Sequence, residues 1–358
     1  MRSFSTPGDI YNATPPRIVF GAGTAAGLRA EVERLGARRA LVVSTPGRAR
    51  MAESIREQVG ERCIGMLPEA ISQVPIEMAR RGRVRATELG ADCLISVGGG
   101  ASIGLGKGIA LELGLPIIAI PTTYSGSEMT GFCGITIDGV KRMHTSLNML
   151  ASTVIYDPEL TLKLPIEAST STAMNALAHC IDAVVVATCS PIIAMAAAQG
   201  AGMMARAIVR VVRDPMDLEA RTEALYGAYL GGAALTGGYA LQHGVAHTLG
   251  GSFNVPHGLS HALVLPHVAA YHARSVPTLM APVAAAMGVA TEDLGKAVFD
   301  LLVSLDIPTS LKQIGFDESA LEPATEITIE TDNGANPAPV TFEVVRQLLE
   351  DAFHGRRP

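Results

Sequence analysis

The residues best suited to chemistry are histidines at helical spacing. His243 and His247 are four apart, as are Asn175 and His179, so each pair projects from one helix face. His257 stands between Pro256 and Gly258, which predicts a tight turn, and His261 follows four residues on. Imidazole titrates near neutrality and is the commonest transition-metal ligand. The set could therefore deliver protons, bind anions or hold a divalent ion. A lone histidine is usually a packed structural residue, but two spaced pairs and a Pro-His-Gly turn favour function. A divalent site would want a carboxylate beside three imidazoles. The helix partner of His179 is instead Asn175, a neutral and poorer ligand, and the nearest acid is Asp182. The metal reading is thus degraded. Each imidazole is eligible as a proton donor, and spacing does not order them.

Two polar loops are the other chemical feature. Gly98-Gly99-Gly100-Ala101-Ser102 follows an apolar run and precedes a helical stretch. Glycines there let the backbone approach a pyrophosphate, whose charge is favoured by the N–H groups of the helix start. The segment matches neither GxGxxG nor a P-loop, since Gly106-Lys107 is followed by Gly108. Thr122, Thr123 and Ser127 belong to a second loop, after the run Pro116–Ile120. Ligands of open α/β sheets sit at the carboxyl ends of strands, so both loops are expected to line one dinucleotide site. Ser125 and Glu128 also fit a capping box. After Ala40–Val43 comes Ser44-Thr45-Pro46-Gly47-Arg48, with no acid to repel a 2′-phosphate. Thr45 and Arg48 are expected beside the cofactor ribose, with both NADH and NADPH accepted; the alternative is that Arg48 is only a solvated loop charge.

The elements that must position these residues change character near residue 155. Before it, the apolar runs Arg17–Phe20, Ala40–Ser44, Cys93–Val97, Pro116–Ile120 and Thr153–Asp157 alternate with helical stretches, as in a parallel sheet buried on both faces. Gly134–Asp138 and Val140–His144 flank Asp138-Gly139, a hairpin signal. After Pro158, Ser169–Thr188, Ile192–Val212, Asp217–Ala234, Ala240–Leu249, Asp293–Leu305 and Phe342–Phe353 read as helices. The prediction is an α/β nucleotide-binding domain over 1–157 and an all-α domain over 158–358, with the ligand expected at their join.

Composition bounds the rest. The 358 residues are 48% apolar and 17% charged, with mean hydropathy +0.30, which excludes a disordered chain. Net charge is −6 and Trp is absent, so nucleic acid is not an expected partner. Five cysteines with no CxxC pair point to a reducing compartment, the cytoplasm. The N-terminus has no apolar core of a signal peptide. The most apolar stretch, Ala194–Val212, is interrupted by Gln199, Arg206 and Arg210, so no membrane span is expected.

Taken together these residues resemble the iron-containing alcohol dehydrogenase superfamily, with a dehydroquinate synthase-like fold, and within it the maleylacetate reductase branch. Gly98–Lys107 is similar to the family's GGGSxxDxxK loop, with Gly104 at the Asp position as in that branch. Ile120–Thr130 is similar to the second cofactor loop, and Ile155–Thr161 also looks like the branch. In metal-dependent members the ligands come from DALxH, HxxxH and PHG motifs, which fall here on Asn175, His179, His243 and His257. Met174-Asn175-Ala-Leu-Ala-His179 instead resembles the MNAxAH of the metal-free branch, and His261 also matches it. Pro256-His257-Gly258 is closer to the dehydrogenases.

The resemblance implies reduction of the C=C of maleylacetate to 3-oxoadipate in aromatic-compound degradation, by NADH or NADPH and without a metal. It implies His243, His247, His179, His257 and Asn175 as pocket residues, with His247 nearest the nicotinamide, and a homodimer acting on a small dicarboxylate. A metal-dependent alcohol dehydrogenase of the same fold is the alternative. A dehydroquinate synthase-like lyase also needs a metal and is disfavoured by Asn175.

Overall fold

The computed structural model describes residues 16–138 and 140–358. The N-terminal segment in which no signal peptide is read, and Gly139 of the hairpin turn, lie outside them. The described chain folds as two compact units, divided between Leu164 and Pro165.

The first unit is an α/β layer structure. Its strands are β1 (Arg17–Phe20), β2 (Ala40–Val43), β3 (Cys63–Leu67), β4 (Cys93–Gly98), β5 (Ile117–Pro121), β6 (Phe132–Ile137), β7 (Val140–Thr145) and β8 (Thr153–Tyr156). Its helices are α1 (Leu28–Arg34), α2 (Ala49–Val59), α3 (Ile76–Leu89) and α4 (Gly100–Leu113). Six strands form a parallel sheet in the order β1-β8-β5-β4-β2-β3, while β6 and β7 form the expected antiparallel hairpin. Side chains alternate across the sheet. Val42, Ile95 and Ile120 pack against Leu28 and Val32 of α1 and Ile55 of α2. On the opposite face, Ser96 lies under α4 at Gly106. The strand β3 was not read from sequence; it is a half-buried edge strand broken by a glycine.

The register decides where the polar loops begin. Gly98 at the end of β4 pairs with Pro121 at the end of β5, so both loops leave the sheet side by side. The division after Leu164 falls later than the expected boundary after Asp157. Asp157 accepts hydrogen bonds from the Gly23 and Ala25 amides and caps the 3-10 turn Pro158–Thr161 through Glu159 N–H, which ties that turn to the sheet.

The second unit is helical: α5 (Ile166–Ala183), α6 (Pro191–Arg213), α7 (Leu218–Leu235), α8 (Leu241–Ser252), α9 (His257–Ser275), α10 (Pro277–Ala286), α11 (Leu294–Ser304), α12 (Leu321–Glu330) and α13 (Phe342–His354). Ser190, Asp217 and Thr341 cap α6, α7 and α13 with their side chains. The helix α5 ends before its expected limit at Thr188, because Val184-Val185-Val186 is a β-branched run with poor helix propensity. Among the described residues α6 is the one helix long and apolar enough to cross a membrane. Its Ala197, Gly200, Ala201 and Ile208 are buried, and its Arg206 and Arg210 pair with Glu223. The sequence reading missed α9, α10 and α12. Pro266 inside α9 and Pro282 inside α10 mimic chain breaks.

Candidate active site

In the α/β unit the glycine loop is shaped by backbone that a side chain would obstruct. Gly98 has φ +139°, and a Cβ on Gly99 would lie 2.9 Å from Thr123 Cγ2. The Gly98 carbonyl accepts from the Thr122 amide at 3.0 Å. The two loops therefore touch. The first amide bonded back into α4 is that of Ile103, to Gly99 O, which leaves the N–H groups of Gly100, Ala101 and Ser102 ahead of the helix ladder. Beside them the hydroxyls of Ser102, Thr122 and Thr123 are buried without partners. Amides at a helix start next to unpartnered hydroxyls suit a pyrophosphate, so this cradle fits a dinucleotide. Thr45 leaves β2, the strand next to β4, so Thr45 and Arg48 emerge at the same sheet edge.

Ser127 has a different task. Lys107, buried on α4, donates from Nζ to Ser127 O (2.5 Å), Ser127 Oγ (3.3 Å), Thr130 Oγ1 (2.9 Å) and Phe132 O (2.9 Å). Burial pulls its ammonium down to about 8. The capping box that Ser125 and Glu128 fit as an alternative does not form. The segment Ser127–Met129 is one 3-10 turn entered through Gly126 at φ 72°, and Glu128 turns inward to accept from Tyr156 Oη at 2.8 Å. Lys107 and Glu128 thus fix the second loop from beneath, and neither was singled out from the sequence for that role.

In the helical unit five imidazoles converge, and His261 is central. Its ring centroid lies 4.8 Å from that of His243, 4.7 Å from His257, 6.1 Å from His247 and 6.5 Å from His179. The rings of His179 and His243 stack at 5.2 Å. Tyr239 closes one side, 5.5 Å from His243 and 5.9 Å from His247. Asn175, His179, His243 and His261 are buried, His247 is half-buried and His257 is exposed. The i,i+4 spacing of His257 and His261 was the available signal for His261; Tyr239 had none.

His257 is not on an isolated turn. It is the first residue of α9, with Pro256 as its extended N-cap. Proline just before a helix supplies the bend that looked like a turn. Gly258 then lets α9 approach α5, where a Cβ would lie 2.6 Å from Ser171 Cβ.

Asp182 organises the cluster. Buried on α5, it accepts from His243 Nδ1 at 2.7 Å and from the backbone amides of Ala240 (2.6 Å), Gln242 (3.3 Å) and His243 (3.3 Å). One carboxylate thus anchors the start of α8 and orients His243. Burial raises the Asp182 carboxyl, but the His243 hydrogen bond and its neighbours outweigh this and hold it below its usual range. With Nδ1–H committed to Asp182, His243 Nε2 is left buried and without a partner. The rings are not equally eligible as donors. Burial first, then the neighbouring imidazoles, push His179 and His261 well below the usual histidine range.

The donor set departs from the three imidazoles and a carboxylate that a divalent ion of the fold family would want. Asn175 offers a carboxamide at the position of a carboxylate, and Asp182 is engaged by His243 and three amides.

Comparison with known proteins agrees with this architecture. Residues 15–158 match the family described as iron-containing alcohol dehydrogenase, and residues 169–353 match its C-terminal region. The maleylacetate reductase of Burkholderia cepacia is 43% identical over 350 residues, covering 98% of this chain and 99% of that protein. The crystal structure of maleylacetate reductase from Agrobacterium tumefaciens superimposes with a TM-score of 0.92 at 41% identity, covering 98% and 99% of the two chains. Sulfoacetaldehyde reductase from Bifidobacterium kashiwanohense, solved in complex with NAD+, has a TM-score of 0.88 at 22% identity over 96% of this chain and 98% of that one, a likeness of fold alone. The chain belongs to the iron-containing alcohol dehydrogenase family and is an oxidoreductase.

Proposed function

We propose that this protein reduces the carbon–carbon double bond of maleylacetate to 3-oxoadipate with NADH or NADPH, and does so without a metal. The observation that carries the metal-free reading is the donor set. A carboxamide at Asn175 stands where a ligand carboxylate is needed, and the Asp182 carboxylate is turned to His243. The substrate follows from the whole-chain likeness to maleylacetate reductases.

The chemistry makes a Lewis acid dispensable. An isolated carbonyl or alcohol is commonly polarised by a divalent ion. In maleylacetate the alkene is conjugated to a ketone. The nicotinamide supplies a hydride, which adds at the alkene carbon β to the ketone and moves the electron pair onto an enolate oxygen. A proton at the α carbon completes the product. The helical unit's residues serve that charge and that proton. His243, oriented by Asp182 through Nδ1, presents its unpartnered Nε2 as the proton-transfer group. His179 and His261, held neutral, shape the floor without repelling it. His247 and His257, the least buried rings, suit the substrate's carboxylates. In the α/β unit, Gly98, Gly99, Gly100, Ala101, Ser102, Thr122 and Thr123 hold the pyrophosphate, and Ser127 acts through the loop that Lys107 fixes. Thr45 and Arg48 accept either ribose form. We place the enzyme in the cytoplasm as a homodimer.

The test is the initial rate of NADH oxidation with maleylacetate before and after exhaustive chelation by EDTA. The expected result is an unchanged rate. Activity lost on chelation and restored by Zn²⁺ or Fe²⁺ would overturn the metal-free mechanism. No rate at all, with metal in the protein and turnover of simple alcohols, would move the assignment to a metal-dependent alcohol dehydrogenase.

A further inference from the structure

We propose that Asn333, on the loop between α12 and α13, is a positioning residue for the histidine pocket. Its side-chain amide latches the turn between α7 and α8 and so holds Tyr239 against His243 and His247. The inference rests on the reading of this pocket as the reducing site.

The turn needs holding. It contains Gly237 and Gly238, the latter at φ +117°, and glycines restrain the backbone least. Side chains from outside the turn tether it. Thr188 Oγ1 donates to Gly237 O, the Ala240 amide donates to Asp182 at 2.6 Å, and Asn333 Nδ2 donates to Tyr239 O at 2.9 Å. Thr188 and Asp182 lie on α5 or just after it. Asn333 comes from an exposed irregular segment 94 residues away in sequence.

That segment is built to present the amide. Asn333 Oδ1 accepts from the Ala335 amide at 3.0 Å, which fixes the side chain with Nδ2 turned to the tyrosine carbonyl. Asp332 accepts from the Gly334 amide. Further along, Asn336 donates to Ala338 O, so its Oδ1 accepts from His272 Nε2 at 2.8 Å, and Tyr271 Oη donates to Pro339 O. Upstream, Thr328 on α12 bonds Thr248 on α8 at 3.0 Å. The loop is therefore anchored on α8 and α9, with Asn333 placed to reach the turn. Loss of that bond removes one restraint on the tyrosine backbone, and the ring that walls His243 and His247 shifts with it. A misplacement of about 1 Å costs up to ~100-fold in rate; one exposed tether is expected to cost roughly tenfold.

Two variants separate the latch from the loop's own shape. Asn333→Asp keeps the oxygen that accepts from Ala335 and removes the donor to Tyr239, whereas Asn333→Ala removes both. The latch predicts that both variants lose about tenfold in kcat, with KM for NADH within about twofold and an unchanged Tm. It also predicts that both shift the ring nitrogen NMR signals of His243 and His247 in histidine-labelled protein, while exposed His354 stays put. Wild-type behaviour of Asn333→Asp alongside a defective Asn333→Ala would assign the effect to loop shape and overturn the latch. Wild-type kinetics and spectra in both would do the same. If the wild-type protein does not turn over maleylacetate, the functional reading fails, and the histidine spectra still decide the latch.

Discussion

The contact between Asp182 and His243 gives the pocket its asymmetry. Five imidazoles form one chain of ring contacts centred on His261, yet His243 is the one whose Nδ1 meets a buried carboxylate. The carboxylate fixes the ring's orientation and keeps its Nδ1 as the donor, as a base-orienting acid does elsewhere. Asp182→Asn keeps one acceptor oxygen, enough for the Ala240 and His243 amides that meet Oδ2, loses the acceptor for the Gln242 amide, and removes the charge. It should lower kcat by on the order of a hundredfold, with KM for NADH near wild type. His243→Gln should fall by a similar factor, and the double variant should be little worse than either single one, because the two act as a unit. Steady-state kinetics of the three variants read this directly. Additive losses would mean that Asp182 acts on α8 alone and not through the ring.

At the scale of elements, the dinucleotide cradle is a consequence of strand register. Because Gly98 is paired with Pro121, two loops emerge together and Thr123 packs against Gly99. Gly99→Ala places a Cβ 2.9 Å from Thr123 Cγ2, tighter than ordinary contact, so the second loop must shift. The expected outcome is a KM for NADH raised about tenfold with kcat within twofold, since the change removes binding shared by ground and transition states. An unchanged KM would show that this loop does not hold the cofactor. The helix α8 is positioned with comparable care. Asp182 meets its first amides, and Thr328 bonds Thr248 on its flank.

For the molecule as a whole, the buried histidines set an acid limit. His179 and His261 lie well below the usual value of 6.5, and burial takes His267 down to about 4. A histidine with a depressed folded pKa stays neutral in the folded state while the unfolded chain takes up protons near 6.5. The unfolded state then binds more protons, so stability is complete above about pH 6.5 and falls as pH drops toward the folded values. Each such residue contributes up to ~1.4 kcal/mol per pH unit inside its window. Asp182 adds a loss of the same sign at lower pH, because its carboxyl is held below 3.8 in the folded state. Urea midpoints should therefore decline from pH 7 to pH 5. In His267→Phe, which lies outside the imidazole cluster, the decline between pH 6.5 and 4 should be shallower. A flat profile for the wild-type protein would contradict the burial of these rings.

The sequence by itself determined the features that depend on near neighbours. Apolar runs placed the strands β1, β2, β4, β5 and β8. Helical spacing put Asn175 with His179 and His243 with His247, and the Gly98–Ser102 segment was legible as a strand-to-helix loop. Where local signals conflicted, the reading failed: Pro266 hid α9, Gly65 hid β3, and Pro256 made a helix start look like a turn. The packed structure alone decided that Asp182 meets His243 across 61 residues, that His261 lies at the centre of the rings, and that Asn333 reaches Tyr239 across 94. Periodicity fixes which face a residue occupies, because backbone geometry repeats over a few residues. Which faces then meet is fixed by close packing and by the need to satisfy buried polar groups, and no short window of sequence contains both partners.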